Sequence, residues 1–226
     1  MGVFEYSSIV LGSPFDYRKQ ALLYHPEGLP SVKSEEYTQA LMQAMLPVLA
    51  RSGGRAFLLF TSYRAMNEAA QFLKAQTKDY ALFVQGQAPK AQLLEEFRVA
   101  RRAVLLATAS FWEGVDVRGQ ALVCVMIDKL PFSAPSDPVA KMRHELLQQK
   151  GLSPFMHDSL PQAVIALKQG VGRLIRGEQD YGVLVIGDPR LRQMGYGKIF
   201  LESLPAMTRT TKLAVIERFF AFHEKA

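Results

Sequence analysis

Residues 55–73 read Arg-Ala-Phe-Leu-Leu-Phe-Thr-Ser-Tyr-Arg-Ala-Met-Asn-Glu-Ala-Ala-Gln-Phe-Leu, and the change of period inside this stretch decides the fold. From Arg55 to Thr61 the apolar residues are consecutive, which suits a strand buried on both faces. Ser62 then offers an N-cap oxygen, and Met66, Ala69, Ala70 and Leu73 follow at the i, i+3, i+4, i+7 spacing of an amphipathic helix. The alternation continues outward in both directions. A helix over about Glu35 to Arg51 precedes the stretch and ends at Gly53 and Gly54. After it come strands at Ala81 to Gln85, Ala103 to Thr108, Ala121 to Ile127 and Gly182 to Ile186. Helices are predicted at about Pro89 to Val99, Pro138 to Lys150, Leu160 to Arg176 and Thr211 to Lys225, and Phe15 to Ser34 reads as irregular. Strands apolar on both sides, alternating with helices, predict one doubly wound α/β domain over residues 1–226, its mainly parallel sheet covered on both faces.

The chain has 226 residues, 49% of them apolar, which is enough for a sizeable core. Its longest apolar runs, such as Leu122 to Ile127 and Val183 to Ile186, fall far short of the roughly 18 to 20 residues needed to cross a bilayer. No membrane association is expected, and Glu5, Tyr6, Ser7 and Ser8 give no secretory pattern. Cys124 stands alone, so an internal disulfide and a cysteine-based metal cage are excluded and a reducing cytoplasm is implied. The histidines, His25, His144, His157 and His223, lie at no ligand spacing, so no metal site is expected. Lys and Arg number 27 against 21 Asp and Glu, a net charge of +6 that favours anionic partners.

A parallel sheet directs attention to phosphate-binding turns. The Gly-x-x-x-x-Gly-Lys-Ser/Thr loop is absent. Gly195-Tyr196-Gly197-Lys198 is followed by Ile199 and reads as a turn, and Asp128 reads as a strand-end aspartate despite its likeness to a Mg²⁺ carboxylate. On a helix continued to Arg176, the side chains of Val164, Leu167, Val171, Leu174 and Ile175 fall on one side. Those of Gln169, Arg173 and Arg176 fall on the other, away from the core. Like charges at i, i+3 cost a few tenths of a kcal/mol, and Gly170 and Gly172 inside a helix cost about 1 kcal/mol each. Seating an anion would explain those costs; a solvated basic face is the other reading. The loop Thr108 to Asp116 brings a hydroxyl, an aromatic ring, two carboxylates and a glycine to a strand's carboxyl end, where ligands of open α/β sheets gather. Phe60-Thr61-Ser62-Tyr63 holds the equivalent strand-to-helix position, either as an ordinary cap or as a phosphate site.

These three clusters, in this order, resemble the second RecA-like domain of superfamily 2 helicases, within the DinG, YoaA and XPD-like group and its bacterial DinG/YoaA branch. Thr61-Ser62 resembles motif IV, Ser110 to Asp116 motif V, and Gln169 to Arg176 motif VI. The likeness runs on through Ser13-Pro14-Phe15-Asp16-Tyr17, Asp128-Lys129-Leu130-Pro131-Phe132 and Gly187-Asp188-Pro189-Arg190. It implies an ATP-dependent DNA helicase of 5′-to-3′ polarity acting in repair or replication. In such helicases ATP and Mg²⁺ lie between two RecA-like domains and are bound mainly by the first. Carried over, Arg173 and Arg176 would be arginine fingers on the γ-phosphate, with Gln169, Gly172, Gly114 and Asp116 around the nucleotide and the interdomain network. Thr61, Ser62, Gln85, Ser110, Trp112 and Glu113 would line the single-stranded DNA track. The resemblance also implies a monomer in the bacterial cytoplasm, associated with the nucleoid.

The chain has no phosphate loop, no Asp-Glu box and no set of four cysteines for the 4Fe-4S cluster that many relatives carry in their first half. It is therefore expected to be the C-terminal motor domain of a longer protein, with residues 1–12 a residual segment, and to be inactive alone. A free-standing nucleic-acid-binding or regulatory module is the alternative, and it would explain the charge without ATP chemistry. A Rossmann-like enzyme using Asp116 or Asp128 lacks a glycine-rich dinucleotide turn.

Overall fold

The chain builds a seven-stranded sheet in which every adjacent pair is parallel. The computed structural model describes residues 13–108, 111, 117, 119–133 and 137–224. In chain order the strands are β1 (Ala21–Tyr24), β2 (Ala56–Phe60), β3 (Ala81–Val84), β4 (Ala103–Thr108), β5 (Cys124–Ile127), β6 (Gly182–Ile186) and β7 (Thr208–Thr210). Their order across the sheet is β3-β4-β2-β5-β6-β1-β7. The helices are α1 (Tyr17–Gln20), α2 (Tyr37–Ser52), α3 (Tyr63–Gln76), α4 (Lys90–Val99), α5 (Pro138–Gln149), α6 (Leu160–Val171), α7 (Arg190–Gln193), α8 (Gly197–Ser203) and α9 (Leu213–His223).

Strand side chains alternate between two cores. Leu22, Leu58, Phe60, Leu106, Met126 and Val185 face α2, α3 and α9. Their neighbours Leu23, Leu59, Leu105, Ile127 and Ile186 face α4, α6 and α8. This is the doubly wound arrangement expected from the alternation of strands and helices.

Three local expectations are corrected. Phe15 to Ser34 is not wholly irregular, because Ala21 to Tyr24 is fully buried as β1 between β6 and β7. The edge strand β7 lies in a segment for which no element was expected. The helix predicted to reach Arg176 stops at Val171, and Gly172 caps it. Leu174 and Ile175, each 2% exposed, reach the core by a turn rather than by another helical turn. The start of β6 explains this, since a Cβ on Gly182 would lie 2.5 Å from Leu174 Cδ1 and 2.6 Å from the Val123 carbonyl oxygen. Only glycine lets Leu174 fold over the strand.

Candidate functional site

Because the strands are parallel, all their carboxyl ends share one edge, and the residues just past them converge there. Thr61 follows β2. Its N–H donates to Asp128 Oδ1 at 3.0 Å and its hydroxyl to Asp128 Oδ2 at 3.4 Å. Asp128 follows β5, is 1% exposed, and also accepts from the Lys129 N–H at 2.6 Å. Burial pushes its pKa up to about 6, against the partly offsetting pull of Lys129 and Thr61. The hydroxyl of Tyr37, itself pushed up by burial, donates to the Asp128 carbonyl, and the Lys129 ammonium sits 4.9 Å over the Tyr37 ring. Asp128 is thus the buried anchor of Thr61.

Ser62 is exposed, and its hydroxyl oxygen accepts from the Ala65 N–H at 3.2 Å, capping α3. Ala65 and Met66 spend their amides on Ser62, so the Tyr63 and Arg64 amides at the helix tip have no intrahelical acceptor. Gln85 is half-buried past β3. Its carbonyl accepts from the Thr108 N–H at 2.7 Å and hydroxyl at 3.0 Å, and its amide donates to the Tyr63 hydroxyl at 2.8 Å. It ties together the ends of β3, β4 and α3. Sequence reasoning missed the basic residues beside Ser62: Lys33, Arg64 and Lys129 line a cavity of about 350 Å³ with it. They come from three separate segments, of which only Lys129 lies in a stretch that carries the family resemblance, and Glu35 and Glu68 line the same cavity. Ser110, Trp112, Glu113, Gly114 and Asp116 lie outside the described residues.

The other candidate group lies on the opposite edge. After α6 the Arg173 N–H donates to the Gly170 carbonyl at 3.2 Å and the Leu174 N–H to the Val171 carbonyl at 3.0 Å. Gln169 and Gly172 are exposed, and Arg173 and Arg176 are half-buried with their Nε atoms enclosed. The three polar side chains therefore do not share one helix face; the arginines emerge from a turn that Leu174 and Ile175 pin to the core. The Arg176 N–H donates to Asp180 Oδ2 at 2.8 Å. Gln20, 7% exposed, places its amide nitrogen 2.9 Å, 3.0 Å and 2.9 Å from the carbonyl oxygens of Gly177, Glu178 and Asp180. The loop enters β6 at Gly182, paired with Ala21, so it occupies the amino edge of the sheet. Strands of this length, at about 3.3 Å per residue, separate the two edges by roughly 15 to 20 Å. The described candidates thus form two groups: Thr61, Ser62 and Gln85 on the carboxyl edge, and Gln169, Gly172, Arg173 and Arg176 on the amino edge.

Among the described residues, no group of three or more His, Cys, Asp or Glu could hold a metal ion. Cys124, the one cysteine, is buried with its thiol pushed up to about 12, and it does not fit an iron–sulfur cluster. Ser159 Oγ and Asp158 Oδ2 both approach His144 at Nε2, at 3.1 Å and 3.2 Å, so they form no nucleophile–base–carboxylate relay.

The family described as Helicase C-terminal domain matches residues 45–207. The ATP-dependent DNA helicase YoaA of Escherichia coli (strain K12) is 46% identical over 221 residues, covering 98% of this chain and 35% of the relative. The 3′-5′ exonuclease DinG of Bacillus subtilis (strain 168) is 34% identical over 200 residues, 85% of this chain and 22% of the relative. The chain spans about a third or less of the length of these curated relatives. A solved XPD helicase superposes with a TM-score of 0.62 over 84% of this chain and 36% of that one; at 18% identity the likeness is one of fold.

Proposed function

The chain belongs to the helicase C-terminal domain family, and from that premise we propose that it is the second motor domain of a 5′-to-3′ DNA helicase driven by ATP. Its two edges have separate tasks. The amino edge, with Arg173 and Arg176, meets ATP held by a first RecA-like domain, and the carboxyl edge follows single-stranded DNA. The observation carrying this reading is the fixed loop after α6, where Gln20 and Asp180 hold the backbone that presents the arginines.

A guanidinium is always charged and offers a planar fork of donors that matches phosphate oxygens. Fixed before the substrate arrives, it needs no reorganisation when charge develops on the transferring phosphoryl group. A finger of this kind is worth on the order of 10³ to 10⁵ in turnover. Gln169, exposed on the last turn of α6, couples the two domains, and Asp116 and Gly114 complete the nucleotide side. Mg²⁺ is held by the first domain with the triphosphate, as is any 4Fe-4S cluster. On the carboxyl edge the free amides of Tyr63 and Arg64 suit a backbone phosphate, with Thr61 and Ser62 beside them and Ser110, Trp112 and Glu113 further along the strand. The motor acts as a monomer in the bacterial cytoplasm, at the nucleoid, in repair or replication.

The test separates the edges. In the complete two-domain motor, Arg173→Ala and Arg176→Ala should each lower DNA-stimulated ATP turnover by about 10³ or more while leaving single-strand affinity nearly unchanged. Thr61→Ala should weaken strand binding first. Turnover near wild type in both arginine variants overturns the finger assignment.

A further inference from the structure

The track above uses the carboxyl ends of β2, β3 and β4, and the far end of the same edge is unassigned. There β1 and β7 end at a cavity of about 410 Å³, with an apolar floor that includes Leu23, Leu191 and Leu201. Arg192, Arg209 and Lys212, all exposed, stand around it. His25 lines it too and is only 7% exposed. The Ile186 carbonyl lies 2.7 Å from His25 Nδ1, and a carbonyl only accepts, so Nδ1 carries the proton and the other ring nitrogen is left for the cavity. Arg209 donates to the Leu201 carbonyl at 2.6 Å, which anchors its guanidinium over the floor with most of its donors unspent. Glu27 meets Arg192 at 2.7 Å. One carboxylate against three cations leaves the mouth positive.

An apolar floor under a cationic rim is the chemistry that takes a nucleotide, its base against the leucines and its phosphate on the cations. His25 and Thr210 lie three and four strand spacings from Thr61, which at about 4.8 Å each is ~14 to 19 Å, the reach of a few nucleotides. Among the described residues, no carboxylate just past β5 or β6 faces a phosphate chain. Asp128 and Asp188 are 1% and 0% exposed, and both are engaged inward. We propose that this cavity is a second single-stranded DNA subsite, holding one nucleotide with its phosphate on Arg192, Arg209 and Lys212. It extends the carboxyl-edge track and rests on that reading.

The experiment uses the 226-residue chain and oligothymidylates of about 5 and about 16 nucleotides, with affinity measured by fluorescence anisotropy between about 50 and 200 mM salt. The Arg192→Gln/Lys212→Gln double variant should bind the long probe roughly tenfold more weakly. Its log–log salt slope should fall in magnitude by about 0.7, the value for the one single-strand phosphate the subsite holds. The short probe, satisfied at the Thr61 end, should keep its wild-type affinity, whereas Arg64→Gln should weaken both probes. Unchanged affinity and slope for the long probe in the double variant, with both probes weakened by Arg64→Gln, overturns the subsite alone. A wild-type chain that binds neither probe overturns the track and the subsite together. Loss of affinity for an oligo-glutamate peptide, with DNA affinity intact, would make the cavity a protein-docking site and would also overturn the proposal.

Discussion

Replacing Asp128 by Asn should remove a pH dependence that the buried carboxylate imposes on stability. The side chain is 1% exposed, and burial raises its pKa from 3.8 to about 6 even though Lys129 and Thr61 favour the charged form. A carboxyl group whose folded pKa is raised holds its proton more tightly in the native state. Between about pH 4 and 6 the native chain therefore binds more protons than the unfolded chain, and stability falls as pH rises through that window. A rise of this size is worth about 3 kcal/mol between the two ends of the window, a substantial part of the 5 to 15 kcal/mol of an ordinary domain. Asparagine cannot ionise, yet its carbonyl still accepts from the Thr61 N–H, so local geometry is kept while the titration is lost. The assay is urea unfolding of both proteins at about pH 4, 5, 6 and 7, with the difference in unfolding free energy plotted against pH. Every other carboxylate titrates in both proteins and cancels in the difference. Wild type should lose about 3 kcal/mol relative to Asp128→Asn from the acid end to the neutral end. A flat difference would refute the burial argument, and one that grew with pH would mean that the Thr61 and Lys129 hydrogen bonds outweigh desolvation.

Gly197→Ala should lower stability by about 2 to 3 kcal/mol, seen as a drop in thermal midpoint, because its Cβ would lie 2.0 Å from the Leu191 carbonyl oxygen, a backbone atom with nowhere to go. Arg190→Met should cost about 3 kcal/mol in urea unfolding, since Asp188 is 0% exposed and loses a guanidinium that meets it at 2.6 Å. Gln20→Leu removes the donor shared by three carbonyls of the arginine loop. In the complete motor it should reduce ATP turnover roughly 10- to 100-fold through misplaced arginines and leave DNA affinity alone, as parallel turnover and anisotropy measurements would show.

Long periodic segments were legible because one physical cause, burial on a sheet, repeats along them. Residues 55–73 show the switch from strand to helix, and Ser62 caps α3 where that switch occurs. What escaped notice was short or depended on distant partners. Ala21–Tyr24 is four residues long and becomes a strand only because β6 and β7 flank it. The apolar spacing of Leu167, Val171, Leu174 and Ile175 suited a continued helix, and nothing local announces that Gly182, across the sheet, opens the space into which Leu174 turns. At the site, Thr61 and Ser62 stood out as a strand end and a cap. Asp128 as the anchor of Thr61, Gln85 as the tie between Thr108 and Tyr63, and Gln20 as the clamp on the arginine loop are long-range pairings that no spacing encodes. Gly195-Tyr196-Gly197-Lys198, which reads as a turn, is one only over Gly195 and Tyr196; Gly197 opens α8, pressed against the Leu191 carbonyl.

Amide hydrogen exchange on the complete motor tests most directly whether the two edges do two jobs. Single-stranded DNA alone should slow exchange at residues 61–64 and 85–87, on the carboxyl edge. A non-hydrolysable ATP analogue with Mg²⁺ should slow exchange at residues 172–180, on the amino edge. If the analogue leaves residues 172–180 exchanging at the ligand-free rate, or DNA alone protects both edges equally, the division of labour proposed for this domain is wrong.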